Sequence, residues 1–546
     1  MKFREWAIWL TAIGVFISAK AGAQNYFIEQ ALLFSRQNAG GSARIQAMGG
    51  AQVALGGDFS SARSNPAALG FYNRNEFSIT PALTFQNASG NYTTYENGQN
   101  NLLATSSSSS SSSSILSLPG LAIVFGADKN TDKAPFYGGT FAITLSRLND
   151  FNGTLQYNGQ NNGSSIVAYF LESATGYPKD QFDPKYDPNT NPAGKGDNVN
   201  TPTYLGFNNY LIGPKGTNST DYFSDLGGKN PGKPEQKEII KTSGSQNQWS
   251  ISYGANFLDK LFLGAGLGIT SVRYQYDKTY IENFEGQKLD APCNTCFNNL
   301  NLNEKRTTSG GGVNLTLGAL VKPIDYLQFG ITYVTPTAYQ LNDRYDGKMT
   351  TSWNNYDYYG KGQKFLNNES SKTIDDPVNY GLSTPGRVTF GAAFIIPKKG
   401  FITADVELVN YSNASTSNFS QQYYSLSYDA GQDINKPIAS RFKSVTNIRI
   451  GGEYRLKKFR IRAGYNLMDD PYANKPDNRI NYSLTNLSSI TGGVGYRTSK
   501  FFIDLAVVHT QGDGYYTPYA VTFLPGPDYN YTNTTDRILF TLGFPF

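Results

Sequence analysis

Residues Arg537 to Phe546 read RILFTLGFPF. Successive side chains of an extended strand point to opposite faces, so Ile538, Phe540, Leu542, Phe544 and Phe546 share one wholly apolar face. The same period of two recurs upstream. Ile503, Leu505 and Val507 oppose Asp504, while Ile461, Ala463, Tyr465 and Leu467 oppose Arg460, Arg462 and Asn466. Ile448, Ile450, Tyr454 and Leu456 oppose Arg449, Glu453 and Arg455, and Ile402, Ala404, Val406 and Leu408 oppose Thr403, Asp405 and Glu407. A soluble sandwich turns its charges to water and buries its apolar face. A membrane barrel does the reverse, because an Arg or Lys on the lipid face costs about 2–4 kcal/mol at the bilayer midplane. Alternation alone serves both arrangements; the terminal Phe, the lack of a second apolar face and the N-terminus decide for the barrel.

That N-terminus reads as a secretory signal. Met1-Lys2-Phe3-Arg4 is basic, Trp6 to Ser18 is an apolar run, and Ala21-Gly22-Ala23 has the small-x-small form of a cleavage site. Cleavage is expected before Gln24, giving a signal peptide over 1–23. The apolar run is shorter than the roughly 20 residues a spanning helix needs. Removing Lys2, Arg4, Lys20 and Glu5 lowers the formal net charge from +5 to +3, too little and too evenly spread to imply a nucleic-acid partner. Among 546 residues there are 56 Gly, 38 Tyr and 34 Phe but only two Cys, four Met and one His. High aromatic and low overall hydrophobic content fit a molecule wetted inside and ringed by aromatics outside.

Candidate strands fall near 75–87, 115–127, 136–157, 247–258, 260–282, 301–321, 325–344, 385–397, 399–410, 440–456, 458–468, 487–498, 500–511 and 536–546. Fourteen is even, as expected of a single-chain bacterial barrel. Tight polar turns such as Leu258-Asp259-Lys260 and Leu456-Lys457-Lys458 alternate with long segments near 88–114, 158–246, 283–300, 345–384, 411–439, 469–486 and 512–535. That asymmetry distinguishes periplasmic turns from extracellular loops. The nine serines Ser106 to Ser114 read as a flexible tract ending the first loop. The 158–246 loop is expected to fold over the barrel mouth.

Between the signal and the first strand lies Gly56 to Gly70, GGDFSSARSNPAALG, preceded by Gly40-Gly41 and Gly49-Gly50. A barrel of this size leaks unless something fills it, and small residues let a folded backbone lie against the wall. The stretch SARIQAMGGAQVALGGDFSSARSNPAALG resembles the hatch of the FadL family of outer-membrane transporters for long-chain fatty acids and other hydrophobic compounds. Asn65, Pro66 and Ala67 match the family's hatch motif, in the form found in its Bacteroidetes branch. The resemblance implies an all-β transmembrane antiparallel barrel of about 14 strands over 75–546, plugged by a hatch over 24–74. It also implies an outer-membrane protein that captures a hydrophobic small molecule in its outer loops and barrel, then releases it past the hatch or sideways through a kink in the third strand. Here Asn149-Asp150 or Asn152-Gly153 are the candidates for that kink, and the reading favoured is that they mark the strand's extracellular end.

A fatty-acid carboxylate needs a cation, and Arg suits it best. Arg387, Arg449, Arg455, Arg460 and Arg462 are inward candidates on the wall, with Arg44 and Arg63 in the hatch. For each, the favoured reading is structural: pairing with Asp405, Glu407, Glu453 or Asp504 to hold hatch against wall. Cys293 and Cys296 are expected to form a small disulfide in an oxidising envelope. The lone His509 faces outward near a rim, which leaves no general base for Ser–His or carboxylate–His chemistry. No catalytic residue, metal or cofactor is expected, and the protein is expected to be a monomer surrounded by outer-membrane lipid. Three other classes remain open on sequence: a general diffusion porin, a FadL-like barrel serving a secretion machine, and an adhesin acting through its loops.

Overall fold

The computed structural model describes residues 21–97, 102–127, 129–182, 201–227, 232–287, 289, 293, 295–373, 377–417, 435–474 and 484–546. The expected signal peptide lies outside the described residues up to position 20. One antiparallel sheet closes on itself, and its pieces make fourteen wall strands. These are β1 (Glu76–Asn97), β2 (Leu102–Gly126), β3 (Phe136–Asp150, resuming as Gly153–Gln160), β4 (Glu235–Phe257) and β5 (Leu261–Asn283). Next come β6 (Phe297–Ile324), β7 (Leu327–Val334 and Ala338–Asp357), β8 (Phe365–Lys372, Val378–Ser383 and Arg387–Ile396) and β9 (Gly400–Asn410 and Ser415–Ser417). The circuit ends with β10 (Ser444–Leu456), β11 (Phe459–Met468), β12 (Leu487–Arg497), β13 (Phe502–Tyr516) and β14 (Asp528–Pro545). β14 pairs back onto β1, with Phe77 opposite Phe544 and Thr84 opposite Arg537.

The alternation read from the sequence is the alternation of the wall. Ile402, Ile450, Ile461, Val494, Val507 and Phe544 are exposed, whereas Asp405, Glu407, Arg449, Arg462 and Asp504 are buried. A protein exposing its aliphatics and rings on every strand while burying its charges is solvated by lipid outside and by its own polar groups inside. The tight turns have a local cause: Leu258 and Asp259 both have φ of 55°. That pair gives the twist-matched two-residue turn that brings β4 back onto β5 in register.

The strands are longer than expected, and this corrects the loop assignment. Ser106–Ser114 is not a flexible loop end. It lies in β2, each serine opposite a β1 residue from Thr93 down to Phe85. β6 runs for 28 residues, roughly three times the 9–11 that cross a bilayer. Much of 345–384 and 512–535 is likewise strand. Polarity sets strand propensity low in these stretches, but a neighbour already in the ladder supplies their backbone partners, and tertiary context prevails.

Above the outer strand ends, helices Ile166–Ala174 and Thr201–Asn208 of the 158–246 segment pack with Leu300, Leu302, Met349 and Trp353 of the wall. Residues 183–200 and 228–231 of that segment lie outside the described residues. Beneath this cap, fully buried Glu282 accepts from Ile166 N at 2.8 Å, Tyr280 OH at 2.7 Å, Gln236 Nε2 at 2.6 Å and Ser165 Oγ.

Candidate functional site

The N-terminal segment touches the wall on all sides, which places it inside the barrel. It comprises α1 (Ala21–Ser35), α2 (Ala43–Gln46), α3 (Ser61–Ser64) and a 3₁₀ turn at Pro66–Phe71. Ala43 N donates to Thr541 Oγ1 on β14 at 2.8 Å and Gly49 N to Thr491 Oγ1 on β12 at 2.9 Å. Ser252 Oγ on β4 donates to Ala62 O at 2.6 Å, and Asp405 on β9 accepts from Gln52 N at 2.7 Å.

Asn65, Pro66 and Ala67 act as a staple. The Asn65 side-chain oxygen caps the 3₁₀ turn by accepting from Ala67 N at 3.2 Å. Its amide donates to Val53 O within the segment at 2.7 Å and to Ala319 O on β6 at 3.3 Å. Pro66 begins the turn, where its missing N–H is no loss. A side chain on Gly264 or Gly318 of the wall would collide with Pro66, Ala67 or Asn65, and one on Gly464 with the Met48–Gly49 backbone. The motif was legible in the sequence; its complement, a set of glycines spaced along distant strands, was not, because nothing local marks which face a strand glycine presents.

The seven candidate arginines separate into two clusters. In the lower one, Glu453 receives Arg462 Nε at 2.9 Å, Arg455 Nε at 2.9 Å, Arg44 Nε at 3.4 Å and Arg460 Nε at 3.7 Å. Arg462, itself fully buried, also reaches Asp504 at 2.6 Å, and Arg44 reaches Asp58 at 3.9 Å. Around one wall carboxylate this joins segment to barrel. In the upper cluster, Glu407 receives Arg449 at 3.1 Å and Arg387 at 3.9 Å. Arg63 stands beside them, donating to the carbonyls of Asn38 and Ala39. Burial, reinforced by the neighbouring Arg387 and Arg449, pulls the Arg63 guanidinium down to about 10.

Above these charges the lumen holds an apolar chamber, filled by α1, that the sequence did not disclose. Phe27, Ile28, Leu32 and Phe34 of α1 pack against inward residues such as Tyr339, Leu341, Leu382, Val409 and Tyr411. Phe27 meets Tyr380 edge-on at 5.2 Å, and Phe34 meets Phe151 at 5.8 Å.

Phe151 sits at a break in the wall. β2 and β3 share a ladder only between Gly120–Gly126 and Thr140–Ser146. Above it, among the described residues, β2 is paired with β1 alone. β3 shifts register between Arg147 and Asn149 and stops at Asp150. It resumes at Gly153 and still pairs with β4, Gly153 opposite Thr242. Asn149–Asn152 therefore interrupts the strand rather than ending it, contrary to the favoured reading of the sequence. The resumed piece leans across the inner face of β2 instead of joining its edge. Tyr157 stacks on Tyr92 at 4.3 Å, and Ser111 Oγ donates to Thr154 O at 2.5 Å. The N-terminal segment meets this break directly: Asn38 N donates to Leu148 O at 3.0 Å, and the Asn149 amide donates to Arg36 O at 2.7 Å. On the lipid side Leu116, 75% exposed, borders the gap.

Cys293 and Cys296 are joined by a disulfide. His509 is exposed and bonds Asp536 at 2.7 Å on the outer face. Among the described residues no three His, Cys, Asp or Glu side chains converge as metal ligands, and no helix is long and apolar enough to cross a membrane.

The class these features define is a transmembrane β-barrel of fourteen antiparallel strands, with a chain segment lodged in its lumen and a break in its third strand. Similar solved structures are a FadL homologue of Pseudomonas aeruginosa (14% identity over 93% of this chain and 98% of that one, TM-score 0.49) and the P. putida toluene transporter TodX (12%, 93% and 99%, 0.48). The CymD monoaromatic hydrocarbon channel is similar too (12%, 93% and 98%, TM-score 0.47). No family model and no curated protein matches the sequence.

Proposed function

We propose that this protein is a hatch-plugged transporter that takes hydrophobic compounds across the outer membrane of a Gram-negative bacterium. Residues 24–74 serve as the hatch. The substrate enters the apolar chamber and leaves sideways into lipid at the third-strand break. The observation that carries this reading is the conjunction of the two: the chamber ring Phe151 stands in the gap of the ladder. An apolar molecule in the chamber gains nothing from the polar route past the charged clusters, whereas lipid lies just beyond Leu116. The barrel does no turnover chemistry, uses no cofactor or energy source, and works as a monomer bounded by outer-membrane lipid.

The test is uptake by cells of a labelled aromatic hydrocarbon and a labelled long-chain fatty acid. Deleting Phe151 and Asn152 lets the two pieces of β3 run on in the wall and close the gap. Uptake of at least one probe should fall about tenfold or more while the barrel still shows its heat-shifted gel mobility. Unchanged uptake of both would remove the lateral route.

A further inference from the structure

Three neighbouring turns on the short-turn, periplasmic side of the barrel carry lysine and no exposed acid. Lys398 and Lys399 join β8 to β9, Lys457 and Lys458 join β10 to β11, and Lys500 lies between β12 and β13. All five are exposed. Because β8 to β13 are consecutive in the wall, the five form one arc of the rim. The acids of these strand ends (393–403, 452–463 and 494–504) are Glu453 and Asp504, both buried against lumen arginines. On the other half of the rim Lys129 pairs with Asp259, and Lys322 with Asp325 at 3.0 Å. Among the described residues, none of the five has a carboxylate partner.

The arc is held as one piece. Lys399 O accepts from Arg455 N at 2.7 Å and Lys458 O from Arg497 N at 2.9 Å, so each turn is tied to the next strand pair. Arg460 Nη1 donates to the carbonyls of Lys457 at 2.7 Å and Phe459 at 2.8 Å. Two of the lysines are also kept at a conformational cost, with φ of 61° at Lys398 and 54° at Lys457. Lys398 is the third residue of a turn that Lys399 N closes on Ile396 O at 3.0 Å, a left-handed position where Gly or Asn belongs. A residue held against its turn preference points to a use for its side chain.

The depth of the arc says what it meets. Leu456 and Phe459, on either side of Lys457 and Lys458, are 45% and 59% exposed, and Ile396 and Ile402 flank Lys398 and Lys399 on the same lipid-facing surface. A strand rises about 3.3 Å per residue, so the lysines begin just beyond the hydrocarbon. Their stems lie along it while the ammoniums reach outward. Lipid phosphate lies at that depth, whereas a soluble acidic partner meets the turns only from below.

We propose that the arc from Lys398 to Lys500 is a binding surface for anionic phospholipid headgroups of the periplasmic leaflet. It stands across the barrel from the β2–β3 break and is independent of the cargo and its route.

The experiment titrates the detergent-extracted full-length protein with dioleoylphosphatidylglycerol and with dioleoylphosphatidylcholine and reads bound lipid by native mass spectrometry. The anionic lipid should bind at least about fivefold more tightly than the zwitterionic one. Lys398→Asn combined with Lys457→Asn and Lys500→Gln should bring that ratio to within about twofold, with a melting temperature no lower than the parent's, because Asn suits both left-handed positions. Lys398→Arg combined with Lys457→Arg and Lys500→Arg should keep the ratio, as should Lys129→Gln combined with Lys322→Gln on the other half of the rim. A ratio near one in the parent overturns the proposal, and so does a loss in the Lys129–Lys322 variant as large as in the arc variant. A parent that ignores the lipid charge yet binds hexaglutamate through the same lysines also overturns it, and assigns the arc to an acidic protein.

Discussion

In the lower lumen, residues 42–70 meet the wall through glycine backbone and charge; above them, α1 meets it mainly through rings and aliphatics, with a few hydrogen bonds and one ion pair. Gly264, Gly318 and Gly464 leave room for backbone against backbone, and Glu453 and Asp504 clasp Arg44 and Arg462. The chamber is held mostly by contacts like Phe27 on Tyr380, with Gln30 bonded to Thr308 and Tyr380 and Glu29 paired with Arg441 at its edge. Close backbone approach and paired charge fix geometry, because shifting either leaves buried polar groups unmatched. Apolar contact is tolerant of what makes it, so a guest can replace it. On the proposed function, the lower lumen is the fixed seal and the chamber the exchangeable part.

That contrast is most severely tested by Arg462→Met. It leaves Glu453 and Asp504 buried with one cation fewer, a loss of about 3–5 kcal/mol. Release of the N-terminal segment should follow, read as a rise in single-channel conductance across planar bilayers and as protease cleavage within residues 36–72. Next in size, Gly464→Val drives a side chain into the Met48–Gly49 backbone, which no rotamer relieves. It should cost about 3 kcal/mol, the upper end for overpacking, and raise conductance while the heat-shifted gel mobility stays. Asn65→Ala removes two donors and a cap at once and should cost about 2 kcal/mol. Here hydrogen exchange at Ala67, whose N–H Asn65 caps, should quicken before any leak is seen. The smallest effect belongs outside the comparison: His509→Gln breaks an exposed pair worth less than about 1 kcal/mol and should leave melting, conductance and ligand binding unmoved. A leak from His509→Gln equal to that of Gly464→Val would erase the distinction between seal and surface.

Part of this was readable before any coordinates. The period of two with charge on one face gave the barrel and its fourteen strands, because lipid punishes a misplaced charge residue by residue. Asn65-Pro66-Ala67 pointed to residues 24–74 as the candidate to fill it. The loops were misread where polar sequence is held as strand by its neighbour, Ser106–Ser114 most clearly. The arginines were found but not sorted, since neighbours across the lumen are hundreds of residues apart in the chain: Arg44 meets Glu453 and Arg387 meets Ser35.

The sequence by itself determined which side chains face lipid and which face inward, since that follows from alternation and the cost of charge in hydrocarbon. Only the tertiary structure decided that β3 leaves the wall at Asn149–Asn152, that α1 occupies an apolar chamber, and that Arg63 stands without a carboxylate partner among the described residues. Those depend on which distant strands come to face one another across the lumen, and no local pattern records that.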